Sequence, residues 1–188
     1  MNRTISLVFL VLIASCGSGP VPNLDSADPY ERYLGALAAA DSRDPEGMKR
    51  VEALLKDSDP LARTGAVVAI ARARPQGSLV LLAGMLADSD SSVRSEAVRA
   101  VASFKDPSSV EPLSKVLAQD ASVDTRRAAA LALGGYADSP ALRAILLAAL
   151  SDLEAGVAYN AYRSLVRVTG RTDLPRARAG AEEALKRS

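Results

Sequence analysis

Apolar residues recur along this chain with the period of a helix, and the helical pattern itself repeats. Met48, Val51, Leu54 and Leu55 make one stripe, which returns 31 residues later as Leu79, Leu82, Met85 and Leu86, and again as Val110, Leu113, Val116 and Leu117. Each stripe runs toward an acidic turn. These turns open at Asp57, Asp88, Asp120 and Asp152, spaced 31, 32 and 32 residues apart. Past the turns, Ala66, Ala97, Ala129 and Ala161 hold one repeat position, and Ile70, Val101, Leu133 and Leu165 hold another four residues on. Positions four apart share a helix face, so each unit reads as a helix, a polar turn and a second helix with a face of small and aliphatic residues. A two-helix unit of about thirty residues has too little core to stand alone, and stacking the units supplies one.

The pattern predicts four full units, at about 45–74, 76–105, 107–138 and 139–169. A half-repeat at 28–44 precedes them and an amphipathic cap helix at 174–188 follows. Asp or Ser ahead of each second helix can accept hydrogen bonds from its unpaired N-terminal amides, and Pro60 fits a first helical turn. The chain is rich in alanine and leucine, has no tryptophan, and shows no alternating run of the kind an exposed strand needs, so the fold class is all-α.

The residues from Leu79, LVLLAGMLADSDSSVRSEAVRAVASF, resemble the HEAT repeat in its short bacterial form, which also occurs in bilin lyases. The resemblance covers about residues 28–170 and implies a right-handed α-solenoid of about four helical hairpins. Arrays of this family serve as scaffolds, adaptors, transport receptors, nucleic-acid binders and occasional enzyme subunits, so the resemblance speaks for fold more than for function.

The N-terminus reads MNRTISLVFLVLIASC: one charge at Arg3, an apolar core, then small residues before the single cysteine. That is a secretory signal, and an apolar run this short falls below the roughly 20 residues a bilayer span needs. Residues 13–16, Ile-Ala-Ser-Cys, resemble the bacterial lipobox, which implies cleavage after residue 15 and acylation (palmitate or a similar chain) of Cys16. An ordinary signal peptide, or a short membrane helix, with a chance cysteine is the alternative. Gly17 is not the aspartate that would favour inner-membrane retention, so the resemblance implies an outer-membrane lipoprotein facing the periplasm if the host is Gram-negative. Residues 16–27, rich in Gly, Pro and Ser, read as a flexible tether.

Charge and chemistry narrow the function. Of 23 basic residues Arg3 is lost with the signal, leaving 22 against 22 acidic, a poor balance for nucleic acid. Histidine is absent, so the commonest general base and metal ligand are missing, and no phosphate loop, serine elbow or metal spacing stands in the chain. The reading is non-enzymatic, with no cofactor and no metal. Arg32, Arg63, Arg94 and Arg126 share one repeat position, six residues after the turn acid where one exists, and can reach the acids Asp57, Asp88 and Asp120 of the same or a neighbouring turn. The bland reading is a structural Asp/Arg ladder and the sharper one an anion site. In the fourth unit Ala158 replaces the arginine, so the ladder there should be weaker or absent.

Tyr159, Asn160, Tyr162, Arg163 and Arg167, with Arg99 and Arg127, are the candidate protein-binding residues, because they fall on second helices and Tyr and Arg are enriched at hot spots. Tyr162 also stands where Val67, Val98 and Ala130 stand in other units, which points to partial core. Arg72, Arg74, Glu96 and Arg126 extend the same face into a mixed polar groove. The chain is therefore expected to be a membrane-anchored interaction scaffold for an unidentified protein partner. The alternatives are a lyase-like or chaperone-lyase subunit and a purely structural envelope component.

Overall fold

The computed structural model describes residues 23–42 and 44–186, so the expected signal, Cys16 and most of the tether lie outside the described residues. The described part is an α-solenoid. Its helices are α1 (Pro29–Ser42), α2 (Pro45–Ala53), α3 (Pro60–Ala73), α4 (Ser78–Gly84), α5 (Ser91–Ser103), α6 (Val110–Gln119), α7 (Val123–Leu133), α8 (Pro140–Ala149), α9 (Ala155–Thr169) and α10 (Arg178–Lys186). Short 3-10 turns finish α2 (Leu54–Lys56) and α4 (Met85–Ala87) and lead into α6 (Pro107–Ser109).

Local chemistry sets these boundaries. Asp59, Asp90 and Ser122 cap α3, α5 and α7 by accepting from the backbone N–H groups of Leu61, Ser92 and Thr125. Pro45, Pro60 and Pro140 occupy the first turns of α2, α3 and α8, where a missing N–H costs nothing. α9 ends on Gly170, whose φ of 69° suits the left-handed turn there.

One core runs the length of the array. Ala66, Ala97, Ala129 and Ala161 have no exposed surface, and neither have Ile70, Val101, Leu133 and Leu165. Consecutive second helices touch in series, α1 to α3 to α5 to α7 to α9, whereas the first-helix layer meets itself sparsely. Small residues permit that approach: a Cβ on Gly65 would lie 2.8 Å from Cα of Tyr33 in α1. A layer packed more closely than its partner layer is the inside of a curve, so the second helices form the concave side.

Two expected boundaries move. Residues 23–27 are not free tether, since Leu24 packs against the core and Gly35 of α1 lies directly under the backbone of Asn23 and Leu24. The outward face of α1 needs that cover. The last helix starts at Arg178, not at 174, because Pro175 disfavours a helical conformation at Leu174; that leucine is instead buried outside any helix, 3% exposed.

Candidate functional site

The turns are built first. In each, the aspartate that opens it accepts from the backbone N–H two residues on: Asp57 from Asp59, Asp88 from Asp90, Asp120 from Ser122, Asp152 from Glu154. The same carboxylates receive an arginine from the preceding unit. Arg63 donates Nε and Nη2 to Asp88, both at 2.8 Å, and Nη1 to the carbonyls of Asp57 and Ser58 in its own turn. Arg32 to Asp57, Arg94 to Asp120 and Arg126 to Asp152 repeat that geometry. Every arginine thus spans two turns, bracing its own and clasping the next.

These guanidiniums are committed. The side chains of Arg63 and Asp88 are only 11% and 7% exposed, and Nε, Nη1 and Nη2 of Arg63 are all engaged. The Arg94 guanidinium holds the Asp120 carboxyl below its usual range against the opposing effect of burial, and Arg126 does the same for Asp152. An anionic ligand would have to displace a buried bidentate partner from each. Ala158 offers nothing beyond Asp152, and Glu154 makes no side-chain cap on α9.

The aromatic patch on α9 is largely turned to internal use. Tyr162 donates its hydroxyl to the carbonyl of Leu174 at 3.0 Å, and Arg176 lies over both Tyr162 and Tyr159, 5.6 and 5.8 Å from their ring centres. Arg163 also lies over Tyr159. Tyr162 is therefore the anchor for the segment leading to α10, and of the expected patch Tyr159, Arg163 and Arg167 remain exposed.

A groove of about 700 Å³ opens elsewhere on the second-helix side, across α5, α7 and the start of α9. Arg99, Arg127 and Asn160 line it together. Asn160 is held there by donating to the carbonyl of Arg127 at 3.3 Å, and Gly156 leaves room for the Arg127 guanidinium, which lies 3.1 Å from where a Cβ would project. Arg126, adjacent in sequence, turns away into the ladder. Arg72 pairs with Asp41 at 3.0 Å, and Arg74 donates to the carbonyl of Ser103 and lies over Phe104. Neither lines the groove.

Among the groove residues that escape the sequence reading are its third cation, Lys105, and its large apolar side chain, Leu131. Lys105 ends α5 in a left-handed conformation, φ 56°, and lies over Tyr136, just as Arg74 ends α3 at φ 52° over Phe104. The available signal was a cation at 74 and again at 105, 31 residues apart, with their aromatic partners Phe104 and Tyr136 spaced by one repeat of 32. Leu131 is 45% exposed, a large apolar side chain beside Ala128 and Ala132.

The groove cations differ from the ladder cations in what holds them. Arg99 pairs with Glu96 at 2.6 Å and Arg127 with Asp124 at 3.3 Å, each three residues back on its own helix, with the arginine side chains 60% and 50% exposed. Exposed pairs of this kind are worth about 0–1 kcal/mol, so a partner can take over these cations at little cost. Among the described residues no group of three or more Cys, His, Asp or Glu side chains is placed to hold a metal, and no helix is long and apolar enough to cross a membrane.

Comparison with known proteins agrees with this architecture. The family model for HEAT repeats matches residues 20–102, 49–122, 78–166 and 110–188. The crystal structure of an engineered protein superposes with a TM-score of 0.57 at 22% identity, over 77% of this chain and 76% of that one, a likeness of fold alone. No curated protein matches the chain.

Proposed function

Since this chain belongs to the HEAT-repeat family, we propose that it is an interaction scaffold that binds a protein partner in the groove of α5, α7 and α9 while its N-terminus is tethered to a bacterial envelope membrane. The observation that carries the binding role is the groove itself, where Arg99, Arg127, Lys105 and Leu131 converge on a concave surface that no element of the described chain fills. Repeat arrays recognise partners through such preformed faces. The tether rests on the sequence alone: acylation of Cys16 would hold the array at a membrane, outer rather than inner in a Gram-negative host because Gly17 follows the cysteine. Anchoring would raise the effective concentration of the array for partners at that surface.

In-cell crosslinking followed by affinity purification tests both halves. Cys16→Ala is expected to move the protein from the membrane to the soluble fraction, and an unchanged membrane fraction removes the lipid tether. Arg127→Glu is expected to lose the partner that the unaltered protein captures at the membrane. Retention of that partner in the charge reversal places binding outside the groove.

A further inference from the structure

The groove carries a local excess of positive charge in a chain that is otherwise balanced. Its lining carries Arg99, Lys105 and Arg127 against a single carboxylate, Asp124, and Glu96 enters only as the base from which Arg99 is held. Over the whole sequence Lys and Arg number 23 against 22 Asp and Glu, so this excess is a local sorting of charge. Arg99 and Arg127 each have one acid on their own helix, as Lys49 and Lys115 of the outer face have Glu46 and Glu111, and the excess comes from Lys105, which pairs with no acid among the described residues and lies over Tyr136.

The lining is otherwise apolar at Ala102, Ala128, Leu131 and Ala132, with hydroxyl and amide groups of Ser92, Ser103 and Asn160. Arg99 lies on α5 and Arg127 on α7. Packed helices lie about 8–10 Å apart, close to the roughly 7 Å that separates same-face residues of an extended peptide. Among the described residues no aromatic side chain lines the groove, so they offer none of the stacking platform that single-stranded nucleic acids use.

Resting on the scaffold reading above, we infer that the occupant of this groove is an extended acidic peptide segment of a partner protein, with an apolar residue seated on Leu131 and flanking Asp or Glu side chains taken by Arg99, Arg127 and Lys105. Each incoming carboxylate replaces an intrahelical partner, the part-buried Glu96 or the exposed Asp124, while the ladder is untouched. Specificity then comes from charge sign and from the apolar seat, and the association weakens as salt screens it.

The test is selection of binders from a random short-peptide library on the full chain in detergent, with affinities then measured by fluorescence anisotropy. Enriched peptides should carry an excess of Asp and Glu around an apolar residue. Arg99→Glu or Arg127→Glu should each weaken their binding about tenfold, and Lys115→Glu on the outer face should leave it unchanged. Thermal melting of each variant verifies that the array stays folded. Neutral or basic peptides that are lost with the groove reversals would overturn the acidic class while leaving the groove as the binding site. Peptides indifferent to both reversals, or no enrichment at all, would overturn the inference and the groove reading together. Groove-dependent binding of an oligothymidylate in place of acidic peptides would overturn it in favour of nucleic acid.

Discussion

A single arginine shows how the repeat positions divide into two kinds. Arg94 is part-buried between two turns, clasping Asp120 at 2.7 Å through Nε and the carbonyls of Asp88 and Ser89 through Nη1. Arg99, five residues on in the same helix, extends into the groove with only Glu96 for company. Truncation should separate them. Arg94→Ala leaves the Asp120 carboxylate buried without its counter-charge and is expected to destabilise the array by about 3 kcal/mol, whereas Arg99→Ala should cost less than about 1 kcal/mol. Urea denaturation of both variants measures this, and equal costs would mean that the ladder is not structural. The repeat spacing in the sequence marks all four ladder arginines. It does not say whether each turns to its own turn or the next, because the rise between units decides that and spacing along the chain is silent about it. Repeat position also separates Arg126, on the ladder, from its neighbour Arg127, which the helix sends to the groove.

Helices approach as closely as their smallest residues allow, and here the second-helix layer depends on them. Gly65 sits within α3, where glycine costs about 1 kcal/mol of helix propensity relative to alanine. That cost is offset by contact, since a Cβ at this position would lie 2.8 Å from Cα and 2.9 Å from Cδ2 of Tyr33. Gly65→Ala is accordingly expected to destabilise by about 1–3 kcal/mol despite the better helix former, because backbone cannot yield as a side-chain tip can. A raised melting temperature would show that α1 shifts freely over α3. The helical hairpins themselves were legible in the sequence from apolar stripes, prolines and capping acids. The ends of the array were less so: the apolar stripe counts Leu174 as helix, and only Pro175 warns that it lies outside one. On α9 the sequence left two readings of Tyr162 open, partial core and binding patch, for a related reason. Tyr162 resembles a hot-spot residue by type, and its hydroxyl is spent on a carbonyl twelve residues later in the chain.

Across the whole molecule, the ladder ties unit to unit from Arg32 to Asp152, with Ser26 in place of an acid at one end and Ala158 in place of an arginine at the other. A solenoid is held by interfaces between neighbours, so this chain of clasps should govern how the array as a whole responds to acid. Asp120 and Asp152 are held below their ordinary range by Arg94 and Arg126, and the unfolded chain returns each to about 3.9. At a pH between the folded and unfolded values the unfolded state binds more protons. The stabilisation is therefore fully present above the unfolded value and is lost as pH falls through the folded one. Replacing both acids, Asp120→Asn with Asp152→Asn, should lower stability at neutral pH and flatten its decline below about pH 4. Asp57, where contacts with Arg32 and the Asp59 amide outweigh the upward push of burial, keeps part of the slope, as does Asp90 through its bonds to Ser92. Chemical denaturation at a series of pH values reads both quantities. Parallel curves for variant and unaltered protein would mean that the two clasps add nothing to the acid response, and the stacking of Ala97 and Ala129 on their neighbours would then have to hold the units in register alone.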